Sequence, residues 1–216
     1  MSLHKNYAVF GLGRYGSAIA ISLAKSGADV LAVDRNSNIV NNLAGSLPVC
    51  KCADITDPEA LRQLGIANID VAIIAIADNI EASVMATLLC KEAGVKTVIA
   101  KCGTEMHQKI LERVGADQVV FPENESGTRL AKTLLCSGFV DMLDLADGLS
   151  LVEMDIKPDW VGKPLTQLQL RSKYQINVVA IRTPTGISAN IDPDLPLMEN
   201  AKLIFIANPA KLNKIR

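Results

Sequence analysis

The sequence predicts an α/β protein built on a doubly wound parallel sheet, followed by one helix and a small α+β lobe, and three observations carry that expectation. Between Asn6 and Phe121 short runs rich in Val, Ile and Ala alternate with longer amphipathic stretches, the pattern of strands joined by crossover helices. A glycine-rich loop follows the first of those runs directly. After Phe121 the alternation stops, and the rest reads as a helix and then short strands.

Taken in order, strands are expected at Tyr7 to Phe10, Val30 to Val33, Val49 to Cys52, Val71 to Ile76, Val98 to Lys101 and Val119 to Phe121. Their near-continuous apolar character predicts full burial under helices on both faces, with right-handed crossovers. The intervening helices have recognisable ends. Asp57 with Pro58 at the first helical position opens one, and Thr104 with Glu105 in its first turn opens another. Gly27, Gly94 and Gly115 close three.

Glu125 to Cys136 reads as one helix with Leu130, Leu134 and Leu135 on one side, followed by a linker around Ser137 to Gly148. The expected division is residues 1–138 and 139–216. In the second part an alternating strand (Leu151, Glu153, Asp155), a helix from Pro164 to Lys173, and strands Val178 to Arg182 and Leu203 to Ala207 make up the α+β lobe. A lobe of about 70 residues has a marginal core of its own, so it is expected to pair with another copy or pack on its neighbour.

Composition narrows the function. The 216 residues are 49% hydrophobic and 21% charged, which excludes disorder and collagen. Lys and Arg (22) balance Asp and Glu (23), so no net field recruits nucleic acid. The longest apolar stretch, Val71 to Ala77, falls short of the ~20 residues that span a bilayer, and a cytosolic location is expected unless a partner tethers the chain. Five cysteines, at 50, 52, 90, 102 and 136, form no CxxC pair and read as reduced, buried thiols.

Gly11-Leu12-Gly13-Arg14-Tyr15-Gly16 lies between the first strand and the first helix, the context in which GxGxxG has physical meaning. Gly11 permits the tight turn, Gly13 lets backbone amides approach a pyrophosphate, and Gly16 lets the helix sit close to the sheet. Asp34 ends the second strand 18 residues after Gly16, where it would accept bonds from both ribose hydroxyls and repel a 2′-phosphate. A nucleotide with at least two phosphates fits this Rossmann-like arrangement. The alternative role for Asp34 is a helix cap.

Ligands of open parallel sheets bind at the carboxyl ends of the strands. There Arg14 and Lys101 would hold a terminal phosphate, Asp54 the adenine amino group, and Glu123 a divalent cation on that phosphate. Arg35 beside Asp34 and Ile76 at the end of the fourth strand complete the candidate contacts. The competing structural roles are a cap for Asp78, a solvated strand end for Lys101 and a helix start for Glu123. No catalytic group stands out: His4 precedes the first strand, His107 falls in a helix as a surface or packing residue, and Ser17 and Ser126 lack a GxSxG or SxxK setting.

With these motifs the chain resembles the RCK domain proteins, specifically the Trk/Ktr-type regulatory subunits of bacterial potassium uptake systems. The likeness covers the whole length and rests on the glycine loop, Val30-Leu31-Ala32-Val33-Asp34, Cys52-Ala53-Asp54-Ile55-Thr56-Asp57, Gly115-Ala116-Asp117 and Phe121-Pro122-Glu123. Tyr15 stands where the family usually has Phe, and Ile55 where it typically has Ala. The resemblance implies ATP or ADP binding, NAD(H) in some Trk members, Mg2+ or Ca2+ at the phosphate, and a helix from Glu125 that crosses over to a dimer partner. It further implies a homo-oligomer of dimers assembled into an octameric ring beneath a membrane potassium-translocating subunit. Arg14 matches a residue that approaches the γ-phosphate across the dimer interface. Glu123 matches an acidic residue associated with a cation. Arg171, Asn177 and Val178 fall on positions resembling a cyclic di-AMP site.

The leading expectation is a non-enzymatic nucleotide sensor at the inner face of the membrane that gates potassium uptake. The alternatives are an NAD(H)-dependent oxidoreductase or an NADH-sensing Trk-type regulator. A DNA-binding redox sensor lacks the basic recognition helix it would need.

Overall fold

The structure, a computed structural model, describes residues 5–135, 139–145, 148–208 and 212. The chain divides into two compact units, 1–123 and 124–216. In the first, strands β1 (Asn6–Phe10), β2 (Asp29–Asp34), β3 (Val49–Cys52), β4 (Val71–Ile74), β5 (Thr97–Lys101) and β6 (Gln118–Val120) alternate with helices. These are α1 (Arg14–Lys25), α2 (Ser37–Leu43), α3 (Pro58–Gln63), α4 (Ile80–Glu92) and α5 (Glu105–Val114). α6 (Pro122–Leu135) begins in the first unit and runs into the second.

The sheet order is β3-β2-β1-β4-β5-β6, all parallel. β1 therefore sits centrally, and the order reverses between β1 and β4, which opens a crevice at their carboxyl ends. Strand periodicity of two sends alternate residues to two cores. Ala8, Phe10, Val33, Ile74 and Val98 face one; Val9, Ala32, Ile73 and Ala20 face the other.

The caps read from the sequence are present. The Asp57 carboxylate accepts the Glu59 N–H and the Thr104 hydroxyl accepts the His107 N–H. Gly27, Gly94 and Gly115 all have positive φ just after helices, the left-handed stop that glycine adopts without strain. Two expectations are corrected. Full burial fails at the edge strand β3, where Val49 and Cys52 are exposed, because β3 ends the sheet and pairs with β2 on one side only. β4 ends at Ile74, which moves Ile76 into the following loop.

The second unit holds a five-stranded antiparallel sheet in the order β10-β9-β11-β8-β7. Its strands are β7 (Phe139–Asp144), β8 (Ser150–Asp155), β9 (Asn177–Thr183), β10 (Gly186–Ser188) and β11 (Lys202–Ala207), with short helices α7 (Leu165–Leu168) and α8 (Leu170–Tyr174). Its core gathers Val152, Met154, Trp160, Ile176, Leu203 and Phe205. On β8 the inward side is Ser150, Val152 and Met154, so the alternation places Leu151, Glu153 and Asp155 on the opposite side.

Here too the sequence reading needs correction. The expected linker contains β7, an edge strand that pairs with β8. The single helix expected from Pro164 to Lys173 is two, broken at Gln169, whose φ of 51° and ψ of 42° cannot continue a right-handed helix. The thiols also divide. Cys90 and Cys102 are buried, Cys50 is half-buried and Cys52 is exposed; Cys136 lies outside the described residues, as does His4. Burial pushes the Cys90 thiol up to about 12. Among the described residues no helix is long and apolar enough to cross a membrane.

Candidate nucleotide site

The turn from β1 into α1 is fixed by backbone. The Gly11 N–H donates to the Val33 carbonyl at 2.9 Å, and the Ala75 N–H donates to the Phe10 carbonyl at 2.7 Å, so the loop hangs between β2 and β4. Gly11 has φ of 87°, and a Cβ there would lie 2.7 Å from Ile76 Cγ1. At Gly16 a Cβ would collide with the Gly11 carbonyl oxygen and touch Ala75 Cβ at 3.0 Å. Gly13 is the opposite case, with nothing within 4 Å of the position its Cβ would take. The three glycines thus separate into a turn, an open approach and a close contact.

Gly13 also heads α1 without any side-chain cap, and no acidic residue stands in the helix's first turn. The partial positive charge at this helix head favours an anion. Ser17, just past the loop, serves the helix: its hydroxyl donates to the Gly13 carbonyl at 2.7 Å.

Asp34 ends β2 at the rim of this loop. Its Oδ2 accepts the Leu12 N–H at 2.7 Å and its Oδ1 accepts the Asn36 N–H at 2.8 Å. The cap of α2 is Asn36, whose side chain accepts the Asn38 N–H; Asp34 is not that cap. Each carboxylate oxygen retains a second lone pair for a ligand hydroxyl.

A cavity of about 730 Å3 opens beside these groups, a size usual for small-molecule sites. It brings together Gly11, Gly13, Asp34, Arg35, Asp54 and Ile76 from the expected set. Asp54 is held by an Asx turn, its Oδ1 accepting the Thr56 N–H at 2.9 Å and the Thr56 hydroxyl at 2.7 Å. Those two donors, with the Arg35 charge adding to them, hold its carboxyl below the usual range. The lining also includes Asn36, Ile39, Thr56, Glu81 and Met85, which sequence reasoning did not single out. The Asp54-Ile55-Thr56 spacing is an Asx-turn signal that would have found Thr56. Asp78 lines the cavity, while the cap of α4 is Asn79, accepting the Ala82 N–H at 2.9 Å.

The remaining expected residues do not line the cavity. Leu12 is buried and Arg14 is exposed at the start of α1. Tyr15, Lys101 and Glu123 form a cluster of their own. Lys101 Nζ donates to Glu123 Oε1 at 2.6 Å and stands 5.7 Å from the centre of the Tyr15 ring. Lys101 holds the Glu123 carboxyl below its ordinary value. His107 is buried, and the low polarity around it lowers its pKa, the packing alternative of the sequence reading. In the second unit Arg171 is exposed on α8, Asn177 is exposed at the start of β9, and Val178 packs partly against the core. Among the described residues no three acidic, His or Cys side chains converge as a metal site.

A six-stranded parallel sheet with a glycine loop at its reversal point and an acidic residue ending the neighbouring strand defines a Rossmann-type nucleotide-binding protein. Residues 7–122 match the TrkA-N domain and residues 149–216 the TrkA-C domain, so the chain belongs to the family of TrkA-type potassium uptake proteins. It is 38% identical over 180 residues to Ktr system potassium uptake protein C of Bacillus subtilis, covering 83% of this chain and 81% of that one. It is 35% identical over 207 residues to Ktr system potassium uptake protein A of Vibrio alginolyticus, covering 95% and 93%. Among solved structures the GsuK channel bound to NAD matches with a TM-score of 0.66 at 17% identity, over 99% of this chain and 39% of that one. GsuK bound to ADP matches with a TM-score of 0.51 at 18% identity, over 63% and 35%. The chain thus spans about two fifths of GsuK or less, and that likeness is one of fold.

Proposed function

We propose that this protein is a non-enzymatic, nucleotide-sensing regulatory subunit of a Ktr-type potassium uptake system. One observation carries the reading: Gly13, which heads α1 without a side-chain cap and leaves an open approach, and the Asp34 carboxylate both border a single cavity. Adenosine lies toward Asp34, Arg35 and Asp54, the pyrophosphate lies on the loop, and Arg14 and Lys101 meet a terminal phosphate with Mg2+ or Ca2+ at Glu123. ATP and ADP are the ligands, and their exchange changes the shape of a ring. Residues 1–138 form the nucleotide part with its crossover helix, and 139–216 the second lobe. The chain acts in the cytoplasm at the inner membrane face, as a homo-oligomer of dimers in an octameric ring bound to a membrane potassium-translocating subunit. Arg171, Asn177 and Val178 supply a cyclic di-AMP site.

A second reading, NAD(H) as the ligand, is favoured by the charge of the cavity. Asp34, Asp54, Asp78 and Glu81 line it against Arg35 as the lining cation, which disfavours a polyanion relative to a dinucleotide. Calorimetric titration with ATP, ADP, NAD, NADH and cyclic di-AMP, with and without Mg2+ or Ca2+, decides. Tight ATP and ADP binding supports the first reading. A clear preference for NADH replaces it with the second, and no binding of any adenine nucleotide removes both.

A further inference from the structure

Asp54 is carried on a turn whose shape is set by its chain neighbours. Ile55 is buried in the core with Val33 and Leu61, and Asp57, one residue past Thr56, caps α3 by accepting the Glu59 N–H at 2.9 Å. Between these two anchors the Thr56 N–H and the Thr56 hydroxyl both donate to Asp54 Oδ1. An Asx turn needs only the backbone donor; here the hydroxyl doubles it.

That doubling decides which atoms face a ligand. A carboxylate oxygen has two lone pairs, and Thr56 occupies both on Oδ1, at 2.9 and 2.7 Å. Among the described residues no hydrogen bond reaches Oδ2, so both of its lone pairs remain for the ligand. The Thr56 hydroxyl has a single proton and gives it to Asp54, so it too presents only lone pairs outward. The same two donors hold the Asp54 carboxyl below the usual range, which keeps it ionised and unable to donate at neutral pH. Asp54 and Thr56 both line the cavity, and the edge they form accepts hydrogen bonds and donates none. An amino group suits such an edge, and a ring carbonyl is repelled by it.

Position supplies the rest of the argument. In the parallel register Cys52 pairs with Asp34, and Asp54 follows two residues further on. A base attached to a ribose at Asp34 therefore has the Asp54–Thr56 edge ahead of it.

We infer that Thr56 is a positioning residue, which by filling Asp54 Oδ1 turns Oδ2 to the cavity and so makes the site select a 6-aminopurine over a 6-oxopurine. The inference rests on the nucleotide reading above and adds the origin of its base specificity. It applies to ATP, ADP and NAD alike, because each carries adenine. Thr56 acts through Asp54 and needs no contact of its own with the ligand.

The test titrates the intact protein with two pairs of probes, ATP against ITP and NAD against its hypoxanthine analogue; within each pair a carbonyl replaces the 6-amino group. The wild type is expected to prefer the adenine member by about tenfold or more. Thr56→Val keeps the side-chain shape and the backbone donor but loses the hydroxyl, and should lower that ratio by about threefold or more, while Thr56→Ser should restore it to within about twofold of the wild type. A merely structural role weakens both members of a pair equally and leaves the ratio alone. Asp54→Asn gives the sharper result: only its amide oxygen can accept from Thr56, so its NH2 group is turned to the cavity and the preference should reverse toward the hypoxanthine member. Adding Thr56→Val to that variant should shrink the reversal by about threefold. A wild type without base preference, an unchanged ratio in Thr56→Val, a Thr56→Ser that behaves like Thr56→Val, or an Asp54→Asn that still prefers adenine overturns the positioning role, while adenine-nucleotide binding by the wild type leaves the sensor reading standing. Should Thr56→Val fail to fold, Asp54→Asn, at an exposed position, decides alone. A wild type that binds none of the probes overturns both.

Discussion

The Asp34 carboxylate accepts the Leu12 backbone N–H at 2.7 Å, so the acidic residue that ends β2 also holds the glycine loop in place. In the function proposed above, ligand recognition and loop geometry therefore share one side chain. The ribose contact assigned to Asp34 and the shape of the phosphate cradle change together when it is altered.

Asp34→Ala is accordingly expected to weaken ATP, ADP and NAD alike, since each lost charge-assisted bond costs about 1.5 to 3 kcal/mol before compensation. It also leaves the part-buried Leu12 amide without its acceptor, so a lower thermal midpoint should accompany the lost affinity. Calorimetry paired with a melting curve checks both, and unaltered nucleotide affinity removes Asp34 from the site.

The glycines of the loop should separate by experiment. Gly16→Ala drives a Cβ into the Gly11 carbonyl, and a destabilisation of about 1 to 3 kcal/mol from overpacking is expected. Gly13→Ala meets open space, and its φ of −65° suits any residue, so the fold should hold within about 0.5 kcal/mol while the pyrophosphate loses its close approach. Denaturation midpoints and nucleotide titrations measured side by side distinguish the two; equal stability loss contradicts the assignment.

Arg14 is exposed at the head of α1 and outside the cavity, and the proposed function gives it the terminal phosphate. Arg14→Ala should weaken ATP more than ADP, because the third phosphate alone extends that far. Equal losses in the two titrations rule out the γ-phosphate role.

Asp117 provides a pH test of the first unit. Its Oδ2 accepts the Val98 N–H at 2.7 Å and meets Lys91 Nζ at 2.9 Å. The backbone donor first, and then Lys91, hold its pKa below the ordinary 3.8. A depressed carboxylate stabilises the fold above its unfolded value, and that contribution is lost as pH falls through the folded value. Stability should therefore fall on acidification below 3.8, and Asp117→Asn should flatten this limb while lowering stability at neutral pH. An identical acid limb in mutant and wild type assigns the slope to other groups.

The parts of this molecule legible in its sequence are those governed by local rules. A glycine loop between strand and helix, Asp57-Pro58 and Thr104 as caps, and glycines after helices each act within a few residues. What escaped depends on distant partners or on backbone angles that no residue type announces. β7 buries Met142 while Val140 and Leu143 stay exposed, so it shows no alternation, and its strand character comes from pairing with β8. The break at Gln169 gave no signal because the left-handed conformation there uses neither Gly nor Asn. The site behaved similarly. Gly11, Gly13 and Asp34 were readable from a motif, whereas the separation of Lys101 and Glu123 from the cavity follows from the sheet order, a tertiary fact.

The central place of β1 has a consequence for how the protein is made. Ala8, Val9 and Phe10 are flanked by β2 on one side and by β4 on the other, and β4 begins only at Val71. During translation β1 leaves the ribosome with one edge bare until more than sixty further residues have been added, a span read off the register of Tyr7 with Val71. The nascent chain must keep that edge from foreign strands, and chaperone occupancy of ribosome-bound chains should drop once the Val71 segment has cleared the exit tunnel.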